Sequence, residues 1–357
     1  MDEPVDSRDF VQPLGPDMAE MPEESRPLTW ILAGDRLGDN NQMFALAEAL
    51  GSPFKVKFLT YNRLRHLPFL RGRRLIYVTR RARGILAPPW PDVVISAGYR
   101  SVAVARYIRR QSGGSSKLVQ IGNPRTQVHD FDLVITTPQY SRRDAPNVLP
   151  LPFPIGNPAR GVTATNEEKN WLRALPHPRR LVAVGGPARN WKIDNAELGR
   201  AIRYLRDQCA SEGGSVIAVT SPRTTDRTRR LLLDAQGAGT TDALVDGFPR
   251  FAVLLAQCDQ FFVTADSVSM LSEAILTRKP VGMIPIARSA RGEIRRWLHR
   301  LGLRTPSHPD LPNFWRLLSM HNLVGGVESP VASHMRDTVE IAANAVRSLI
   351  DRLPAGA

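Results

Sequence analysis

The sequence has 357 residues, of which 42% are hydrophobic, so it can form about two domains with cores of ordinary size. Its two cysteines, without a CxxC pair or a His cluster at ligand spacing, exclude a disulfide framework and a structural zinc site. The formal net charge of +14 predicts an anionic partner, for which nucleic acid and an acidic lipid surface are the usual candidates.

Residues 1–27 are rich in Asp, Glu, Pro and Ser and lack hydrophobic periodicity, which predicts a disordered acidic tail. The N-terminus has neither the basic nor the apolar region of a signal peptide. No apolar run approaches the roughly 20 residues that are needed to cross a bilayer. We therefore expect a cytoplasmic protein.

From residue 28 onward, predicted strands alternate with predicted helices, which indicates a parallel sheet in a Rossmann-like domain at 28–150. The strand at 28–33 leads into a polar turn at 34–42, before a helix that ends at Gly51. Later strands at 92–97, 117–121 and 132–136 also end in polar loops, and Ser101 is the predicted cap of the helix after the first of these. We expect the strand ends to share one crevice that suits a hydroxyl acceptor and a base, lined by Asp35, Asp39, Tyr99, Arg100, Asn123 and Arg125.

Basic residues dominate residues 60–117, where the only acid is Asp92. In residues 61–74 the arginines alternate with apolar side chains, beginning at Tyr61. This pattern fits either a surface that lies on an acidic membrane leaflet or a solvated surface whose apolar residues belong to the core. The membrane interpretation predicts a peripheral location on the inner face of the membrane and depends on Arg63, Arg65, Phe69, Arg71, Arg73 and Arg74.

Six prolines between residues 138 and 160 predict a stiff linker between domains. A second alternation of strands and helices follows, which places another Rossmann-like domain at 151–330. Residues 331–357 are predicted to form a C-terminal helix and tail.

The most informative stretch of the second domain is residues 260–285, which is predicted to form a strand, a loop, a helix and a strand. Asp266 or Ser267 can cap the helix, whose N-terminal N–H groups would favour a phosphate. Glu273 lies about two turns inside, where its carboxylate could receive ribose hydroxyls. The alternative is an ordinary capped helix with a solvated Glu.

Two further strand ends of this domain, Gly185-Gly186 and residues 221–225, carry small residues and backbone donors that suit a nucleotide diphosphate. Arg189, Lys192 and Arg223 are candidate cations. A carboxylate base in one domain and a diphosphate site in the other are what a sugar-nucleotide glycosyltransferase requires.

Other catalytic patterns are weaker. Asp130 and Asp132 form a DxD pattern, but they precede a strand, so we interpret them as strand flank rather than as a metal site. The sequence has no GxSxG or HExxH, which leaves hydrolases and metalloenzymes without a nucleophile or a ligand set.

Several segments together resemble the mitochondrial-fission ELM-type family. They are residues 34–50, 95–101, 119–125, 131–134 and 185–187, with the motif TADSVSMLSEA at 264–274 and TRKPV at 277–281. The resemblance covers nearly all of residues 28–350. That family is similar to GT-B glycosyltransferases, including lipid-A-disaccharide synthase and the peptidoglycan N-acetylglucosamine transferase.

The resemblance implies an α/β, GT-B-like fold of two doubly wound Rossmann-like domains that face a central cleft, with the acceptor domain first and the nucleotide-sugar domain second. By this resemblance Ser267, Ser269 and Glu273 match the donor motif, and Gly34, Asp35, Gly38 and Asp39 match the acceptor loop. The chain departs from the family pattern at 246–250, where the family has an aromatic, Gly and Asn-Pro-Tyr segment, and at Arg278, where it has Gly. Both departures bear on the choice of donor.

Together, the residues and the resemblance predict a metal-independent GT-B glycosyltransferase that needs no cofactor. It would move a sugar from a nucleotide-diphosphate donor, a UDP- or GDP-sugar, to an envelope lipid or lipid-linked acceptor. Asp39 is the predicted catalytic base, with Asp35 as second choice. The predicted donor residues are Gly185, Gly186, Arg189, Ser221, Arg223, Asp266, Ser267, Ser269 and Glu273. The predicted acceptor-side residues are Gly34, Gly38, Asn41, Gln42, Tyr99, Arg100 and Asn123.

Two alternatives belong to other classes of protein. One is a non-catalytic scaffold that keeps the GT-B fold at a membrane. The other is nucleic-acid binding, which we do not expect because no helix-turn-helix, zinc finger or RNP-like segment accompanies the basic residues.

Overall fold

The computed structural model describes residues 27–62, 75–140, 144–156, 162–235, 243–245, 247–303, 310–335 and 337–352. The described parts of Met1–Gly156 and Arg336–Ala357 form one compact unit, and the described part of Asn157–Met335 forms the other. The predicted acidic tail lies outside the described residues, apart from residue 27. The same holds for the predicted membrane residues Arg63, Arg65, Phe69, Arg71, Arg73 and Arg74.

Described strands of the first unit form a parallel six-stranded sheet in the order β2-β1-β3-β4-β5-β6. They are β1 (Thr29–Ala33), β2 (Phe54–Phe58), β3 (Val93–Ala97), β4 (Lys117–Ile121), β5 (Leu133–Thr136) and β6 (Val148–Pro150). Trp30 and Leu32 belong to one core cluster and Ile31 to another, so both faces of the sheet are covered, as in other doubly wound folds. The strand order reverses between β1 and β3, and a crevice is expected outside their carboxyl ends.

The helices that follow these strands are α1 (Leu37–Leu50), α2 (Arg80–Gly84) and α3 (Val102–Gln111). Helix α1 ends at Gly51, whose φ of 69° is the left-handed conformation that favours glycine. Its start corrects the prediction of a long polar turn, because Asp39, Asn41 and Gln42 lie in the first helical turns. The Asn40 side chain closes the short turn by accepting from the Gly34 N–H and donating to the Gly34 carbonyl, each at 2.9 Å.

Ser101 occupies the N-cap position of α3, but the prediction that its side chain caps the helix is wrong. Its hydroxyl donates to the carbonyls of Ala97 and Gly98 at 3.0 and 3.3 Å. The hydroxyl therefore stabilises the turn after β3 and leaves the first N–H groups of α3 without a side-chain cap.

Part of the predicted proline-rich linker is instead the edge strand β6, followed by the buried side chains of Leu151, Phe153 and Ile155. Pro150 is tolerated there because an edge strand need not donate on its outer side. The first unit therefore continues through this stretch to Gly156.

Described strands of the second unit form a six-stranded sheet in the order β10-β9-β7-β11-β12-β14, in which only β14 is antiparallel to its neighbour. They are β7 (Arg179–Val184), β9 (Ser215–Thr220), β10 (Ala243–Val245), β11 (Gln260–Thr264), β12 (Pro280–Ile284) and β14 (Val331–Ala332). A separate antiparallel ribbon pairs β8 (Trp191–Ile193) with β13 (Ile286–Arg288). In this unit the strand order reverses between β7 and β11.

The described helices of this unit are α4 (Asn166–Arg173), α5 (Asn195–Glu212), α6 (Asp226–Asp234), α7 (Phe251–Gln257), α8 (Val268–Leu276), α9 (Ala290–Arg300) and α10 (Leu311–Met320). The prediction that Ser267 can cap α8 is confirmed, since its hydroxyl accepts from the Met270 N–H at 3.4 Å. Among the described helices, no segment is both long enough and apolar enough to cross a membrane.

The chain returns to the first unit through α11 (Thr338–Ile350). Val339, Ala342, Ala343 and Val346 of this helix are buried in the same core cluster as Leu46 of α1. The prediction of an α/β fold with two doubly wound Rossmann-like domains is confirmed by the two sheets.

Candidate functional site

In the second unit, Asp266 links three strand ends at the reversal of strand order. Its Oδ2 accepts from the Gly186 N–H after β7 at 3.0 Å and from Arg223 after β9 at 3.2 Å. Its Oδ1 accepts from the hydroxyl of Thr264, the last residue of β11, at 2.7 Å. The carboxylate therefore fixes the loops of β7, β9 and β11 relative to one another.

The two glycines after β7 are required by close approach rather than by backbone conformation. A Cβ added at Gly185 would lie 2.2 Å from an Asp266 carboxylate oxygen, and one at Gly186 would lie 2.1 Å from the carbonyl oxygen of Arg223. Distances this short mean that a side chain at either position would force the Asp266 carboxylate or the Arg223 backbone to shift. The glycines thus let the loop after β9 and the Asp266 carboxylate pack directly on the end of β7.

The Asp266 side chain is 0% exposed. Desolvation raises the pKa of this carboxyl, while the hydrogen bonds from Gly186 and Thr264 and the charge of Arg223 act in the opposite direction. Because its oxygens are satisfied inside the protein, Asp266 belongs to the framework beneath the loops. Its predicted contact with the donor stays a prediction, and the hydrogen bonds of the structure give it a positioning role as well.

The loop after β9 is held by Thr224, whose hydroxyl donates to the Gly185 carbonyl at 2.7 Å and pairs with the Ser221 hydroxyl at 3.1 Å. The half-exposed Arg223 side chain also reaches the carbonyls of Gly186 and Pro187 at 3.5 and 3.4 Å. The sequence pattern predicted the strand end 221–225 for this site and named Ser221 and Arg223 as donor residues, but it did not predict that Thr224 would hold the loop through contacts with a strand 40 residues away.

Helix α8 presents two of the predicted donor residues. Ser269 is exposed in the first turn, and Glu273, four residues later, lies on the same face of the helix. Glu273 is partly buried, and desolvation raises the pKa of its carboxyl to about 7. Desolvation is the only cause of this shift, so no hydrogen bond or ion pair from the described residues compensates the Glu273 charge.

A tryptophan pair supports this edge of the second unit. Trp315 of α10 donates from Nε1 to the Ala265 carbonyl at 2.8 Å, and its ring lies edge-on to Trp191 at 4.9 Å between centroids. Trp191 is in the ribbon that follows the exposed Arg189, whose φ is +40°. Sequence reasoning missed Trp315, because nothing near it in the chain indicates a contact with β11.

In the first unit, the predicted acceptor residues of the first and third strands meet at the reversal between β1 and β3. Both carboxylate oxygens of Asp35 accept from Arg100 Nη1, at 2.8 and 2.9 Å. The Asp39 side chain is 32% exposed, and its closest ionic partner among the described residues is Arg36 at 3.8 Å. A Cβ at Gly98, whose φ is +67°, would lie 3.3 Å from Asp39 Oδ2, so glycine is favoured there for both reasons.

Desolvation raises the pKa of Asp39, and the nearby charges of Arg36 and Arg100 oppose the shift while that of Asp35 adds to it. The charged form of Asp39 is therefore destabilised by partial burial, although solvent can still reach the 32% of its side chain that is exposed. A carboxylate of this kind accepts a proton more readily than an ordinary exposed Asp.

Tyrosines that sequence reasoning did not assign to the site lie near Asp39 or pack against its neighbours. Burial raises the pKa of Tyr61, Tyr77 and Tyr140, with the value for Tyr77 reaching about 12. The charge of Asp39 contributes to the shifts of Tyr61 and Tyr140. Tyr61 packs against the core, as one of the two interpretations of residues 61–74 predicts, and it stacks on Tyr77 at 6.0 Å between ring centres. The Tyr77 hydroxyl donates to the Arg100 carbonyl at 3.1 Å.

The remaining acceptor-side residues fall into two groups. Asn123 accepts from the Arg125 N–H at 2.8 Å, and the Arg125 guanidinium lies 4.4 Å from the ring centre of Tyr99, so these residues form one small cluster. Gln42 donates to the Gly38 carbonyl within α1 at 3.3 Å, and Asn41 is exposed. The structure therefore ties Gln42 to its own helix.

Both carboxylates of the DxD pattern form ion pairs: Asp130 pairs with Arg106 and Asp132 with Arg109. Asp132 also accepts from the Leu118 N–H at 2.8 Å, which fixes the start of β5 against β4. Within the part of the chain that the structure describes, no group of three or more His, Cys, Asp or Glu is placed to hold a metal ion.

Comparison with solved structures shows the fold. The chain is similar to a UDP-GlcNAc 2-epimerase from Neisseria meningitidis bound to UDP-GlcNAc, with a TM-score of 0.51, 13% identity and coverage of 91% of this chain and 100% of that chain. It is also similar to the UDP-GlcNAc 2-epimerase from Methanocaldococcus jannaschii, with a TM-score of 0.50, 12% identity and coverage of 91% and 99%. The predicted GT-B-like fold is confirmed.

Two curated relatives have sequences similar to this chain. The mitochondrial fission protein ELM1 of Arabidopsis thaliana is 28% identical over 223 residues, which are 54% of this chain and 51% of the relative, so the match spans about half of that protein. An uncharacterized protein, RP120, of Rickettsia prowazekii is 24% identical over 293 residues, which are 71% of this chain and 81% of the relative.

The family model described as Mitochondrial fission ELM1 matches residues 37–348. This range includes Asp39 and the rest of α1, the two glycines after β7 and the whole of α8. The chain belongs to the mitochondrial fission ELM1 family.

Proposed function

We propose that this protein is a glycosyltransferase that moves a sugar from a nucleotide-diphosphate donor to an envelope lipid or lipid-linked acceptor. The reaction would take place at the inner face of the membrane, with the protein bound peripherally from the cytoplasmic side. The observation that carries the proposal is the partly buried Glu273, which shares a face with Ser269 on α8, the helix that begins directly after Asp266 and its contact with the glycine loop of β7.

A nucleotide diphosphate fits the chemistry of this edge. The N–H groups of the first turn of α8 and the Arg223 guanidinium supply positive charge for phosphate oxygens. The Glu273 carboxylate lacks a compensating partner among the described residues and would gain one by accepting from two ribose hydroxyls. The Neisseria structure with the same fold contains UDP-GlcNAc, which supports a nucleotide-sugar partner, and we propose a UDP- or GDP-sugar as the donor.

Asp39 is the proposed base. In the reaction the acceptor hydroxyl loses its proton to Asp39, its oxygen bonds to the anomeric carbon, and the bond to the diphosphate breaks with the electron pair on the leaving oxygen. Asp35 suits this role less well, because Arg100 already donates to both of its oxygens. Arg223 and the α8 N-terminus would hold the charge of the leaving group, so the proposed reaction needs no metal ion and no cofactor.

The test is a thermal-shift screen of the full chain against UDP, GDP, CDP, ADP, TDP and CMP, with and without a chelator. We expect one nucleotide to raise the melting temperature, because a ligand at 100 times its Kd stabilises the folded state by about 2.7 kcal/mol. Glu273→Ala should abolish the shift. The matched control is Glu328→Ala, an exposed Glu of the same unit, which should keep it.

If no nucleotide stabilises the wild type, the donor site is wrong, and the non-catalytic scaffold becomes the better function. The name of the Arabidopsis relative, a mitochondrial fission protein, favours that second candidate. If the protein is a scaffold, cells that carry Asp39→Asn should behave like cells with the wild type. If it is a transferase, they should behave like cells that lack the protein.

A further inference from the structure

Helix α9 packs on its own unit through its polar side. Gly292 is buried in the first turn, and a Cβ there would lie 2.1 Å from the Asn190 carbonyl oxygen. Ser289 fixes the same contact, since its N–H donates to the Asn190 carbonyl at 2.9 Å and its hydroxyl accepts from the Gly292 N–H at 3.2 Å. Gly292 is the only fully buried residue of this helix.

Three large apolar side chains of α9 and of the residue after it point the other way, while a fourth, Leu298, is half-buried. Ile294 is 60% exposed, Trp297 is 60% exposed and Leu301, directly after the helix, is 56% exposed. Their spacing of three and four residues places them in one stripe along the helix. Ile294 follows Gly292 by two residues, which is about 200° around the helix, so the stripe is opposite the buried contact.

This arrangement reverses the usual one, in which a surface helix buries its apolar stripe. Helix α3 follows the rule: Val104, Ala105 and Ile108 are buried, and Arg109 and Arg110 lie in its last turn. An exposed stripe with Trp and two large aliphatic side chains needs a partner with an apolar layer.

The charge of α9 limits what that partner can be. The helix contains four arginines and one acid, Glu293, which pairs with Arg296 at 2.7 Å. Arg291 and Arg300 flank the stripe on its two sides. Desolvation lowers the pKa of Arg295, and the charges of Arg189 and Arg291 lower it further, so the positive charges are close enough to repel one another.

We propose that α9 and Leu301 lie on an anionic lipid surface, with Ile294, Trp297 and Leu301 in the boundary between headgroups and acyl chains and the arginines on lipid phosphates. A tryptophan and aliphatic residues beside arginines are the composition of helices that lie in the membrane interface. Nucleic acid would match the arginines but leave the apolar stripe in water. An acidic protein surface would have to supply an apolar groove as well.

The inference deepens the membrane part of the proposed function by assigning the contact to α9, but it does not depend on sugar transfer. Sugar transfer and the membrane contact of α9 can therefore be disproved independently of each other. The nucleotide screen tests the donor site, and vesicle binding tests α9. Ile294 and Trp297 have no part in the proposed donor or acceptor sites, so their variants should keep the nucleotide-induced thermal shift.

The experiment is flotation of the full chain with vesicles of phosphatidylcholine and phosphatidylglycerol, compared with vesicles of phosphatidylcholine alone. We expect the wild type to float with the anionic vesicles, and Ile294→Ser with Trp297→Ser to reduce the partition coefficient by about tenfold or more. Arg291→Glu with Arg300→Glu should reduce it similarly. The matched controls are Met320→Ser, an exposed apolar residue of α10, and Arg227→Glu with Arg230→Glu on α6, which should float like the wild type.

Quenching by brominated phosphatidylglycerol locates the contact. Trp297 should supply the quenched fluorescence, so Trp297→Phe should still float but lose most of the quenching. The proposal is overturned if the wild type does not float, or if the Ile294 and Trp297 variant floats fully. It is also overturned if α9 instead mediates concentration-dependent self-association that this variant abolishes without any vesicle binding.

Discussion

Asp266 in the second unit and Asp39 in the first are both desolvated carboxylates at a reversal of strand order, and desolvation raises the pKa of each. Their surroundings differ. Asp266 is fully buried and accepts from Gly186, Thr264 and Arg223, whereas Asp39 is a third exposed and has only a 3.8 Å ionic contact among the described residues.

The comparison shows that a perturbed pKa alone does not identify a catalytic group. What separates the two carboxylates is whether their hydrogen-bonding capacity is already used inside the protein. A saturated carboxylate holds loops together, and an unsaturated one that solvent can reach is able to take a proton from a substrate. Substitutions of Asp266, Asp39 and Glu273 test this distinction.

Asp266→Ala should have the largest effect on stability. Removing the carboxylate takes an acceptor from the buried Gly186 N–H and the Thr264 hydroxyl and the counter-charge from the half-exposed Arg223, and a buried donor left without its acceptor costs about 1–3 kcal/mol. Chemical denaturation should show the loss as a lower midpoint. Asp234→Ala, an exposed Asp of α6, is the control and should change the midpoint little. A wild-type midpoint for Asp266→Ala would contradict the framework role.

Asp39→Asn should show the opposite pattern. The Asn amide cannot take up the proton of the substrate hydroxyl that attacks the sugar. The transfer rate should therefore fall at least about a hundredfold, which is about 3 kcal/mol of activation free energy. The free energy of unfolding should stay the same or rise, because desolvation penalises the charged form that the variant removes. Transfer is measured with the donor that the nucleotide screen selects.

Asp35→Asn is the control for this substitution, since it alters a neighbouring carboxylate that already has a partner in Arg100. It should reduce transfer less than Asp39→Asn does. Equal losses in the two variants would mean that the ionic network, rather than a single base, supports the reaction.

Glu273 is a third desolvated carboxylate, and its titration should make the free energy of unfolding depend on pH. Its folded pKa of about 7 lies above its ordinary value of 4.5, so the folded state binds more protons between these values. The stability contribution is complete below pH 4.5 and is lost as pH rises through about 7, by up to roughly 3 kcal/mol. Glu273→Gln should flatten this part of the stability profile, and a slope equal to that of the wild type would contradict the assignment.

The same titration should appear in binding with the opposite sign. Ribose hydroxyls donate to the ionised carboxylate, so nucleotide affinity should rise as pH increases through about 7 in the wild type. Calorimetric titration at several pH values measures this dependence, which Glu273→Gln should lack.

Local patterns in the sequence predicted much of this architecture. The strand before α8 and the Ser267 cap depend on residues adjacent in the chain, so hydrophobic periodicity and capping chemistry were sufficient to predict them. The start of α1 was misplaced because it depends on the Asn40 side chain folding back onto Gly34, which residue composition does not reveal. The family and the fold are confirmed, and the assignment of site residues to donor and acceptor stays a prediction.

Long-range contacts account for what the sequence could not reveal. Tyr61 was grouped with its basic neighbours, but its position is set by Tyr77, and Thr224 acts on a strand end 39 residues earlier in the chain. Both contacts arise only when the sheets bring distant segments together. The edge strand β6 was missed for a related reason, since its prolines are compatible with a sheet only at an edge.

Trp315→Phe should have the smallest effect on stability and on nucleotide affinity. It tests whether a residue far along the chain supports the proposed donor site of the second unit. The substitution keeps an aromatic ring but removes the N–H that donates to the Ala265 carbonyl, which should cost about 1 kcal/mol of stability. Because Ala265 lies between β11 and α8, nucleotide affinity should also fall by a few fold, measurable by calorimetric titration. Trp90→Phe in the first unit, whose ring packs near Trp30 and Tyr107, makes the same change in ring size and should leave affinity unaltered. If Trp315→Phe lowers stability but not affinity, the tryptophan supports the core of its unit alone, and the α8 edge is held mainly by Asp266.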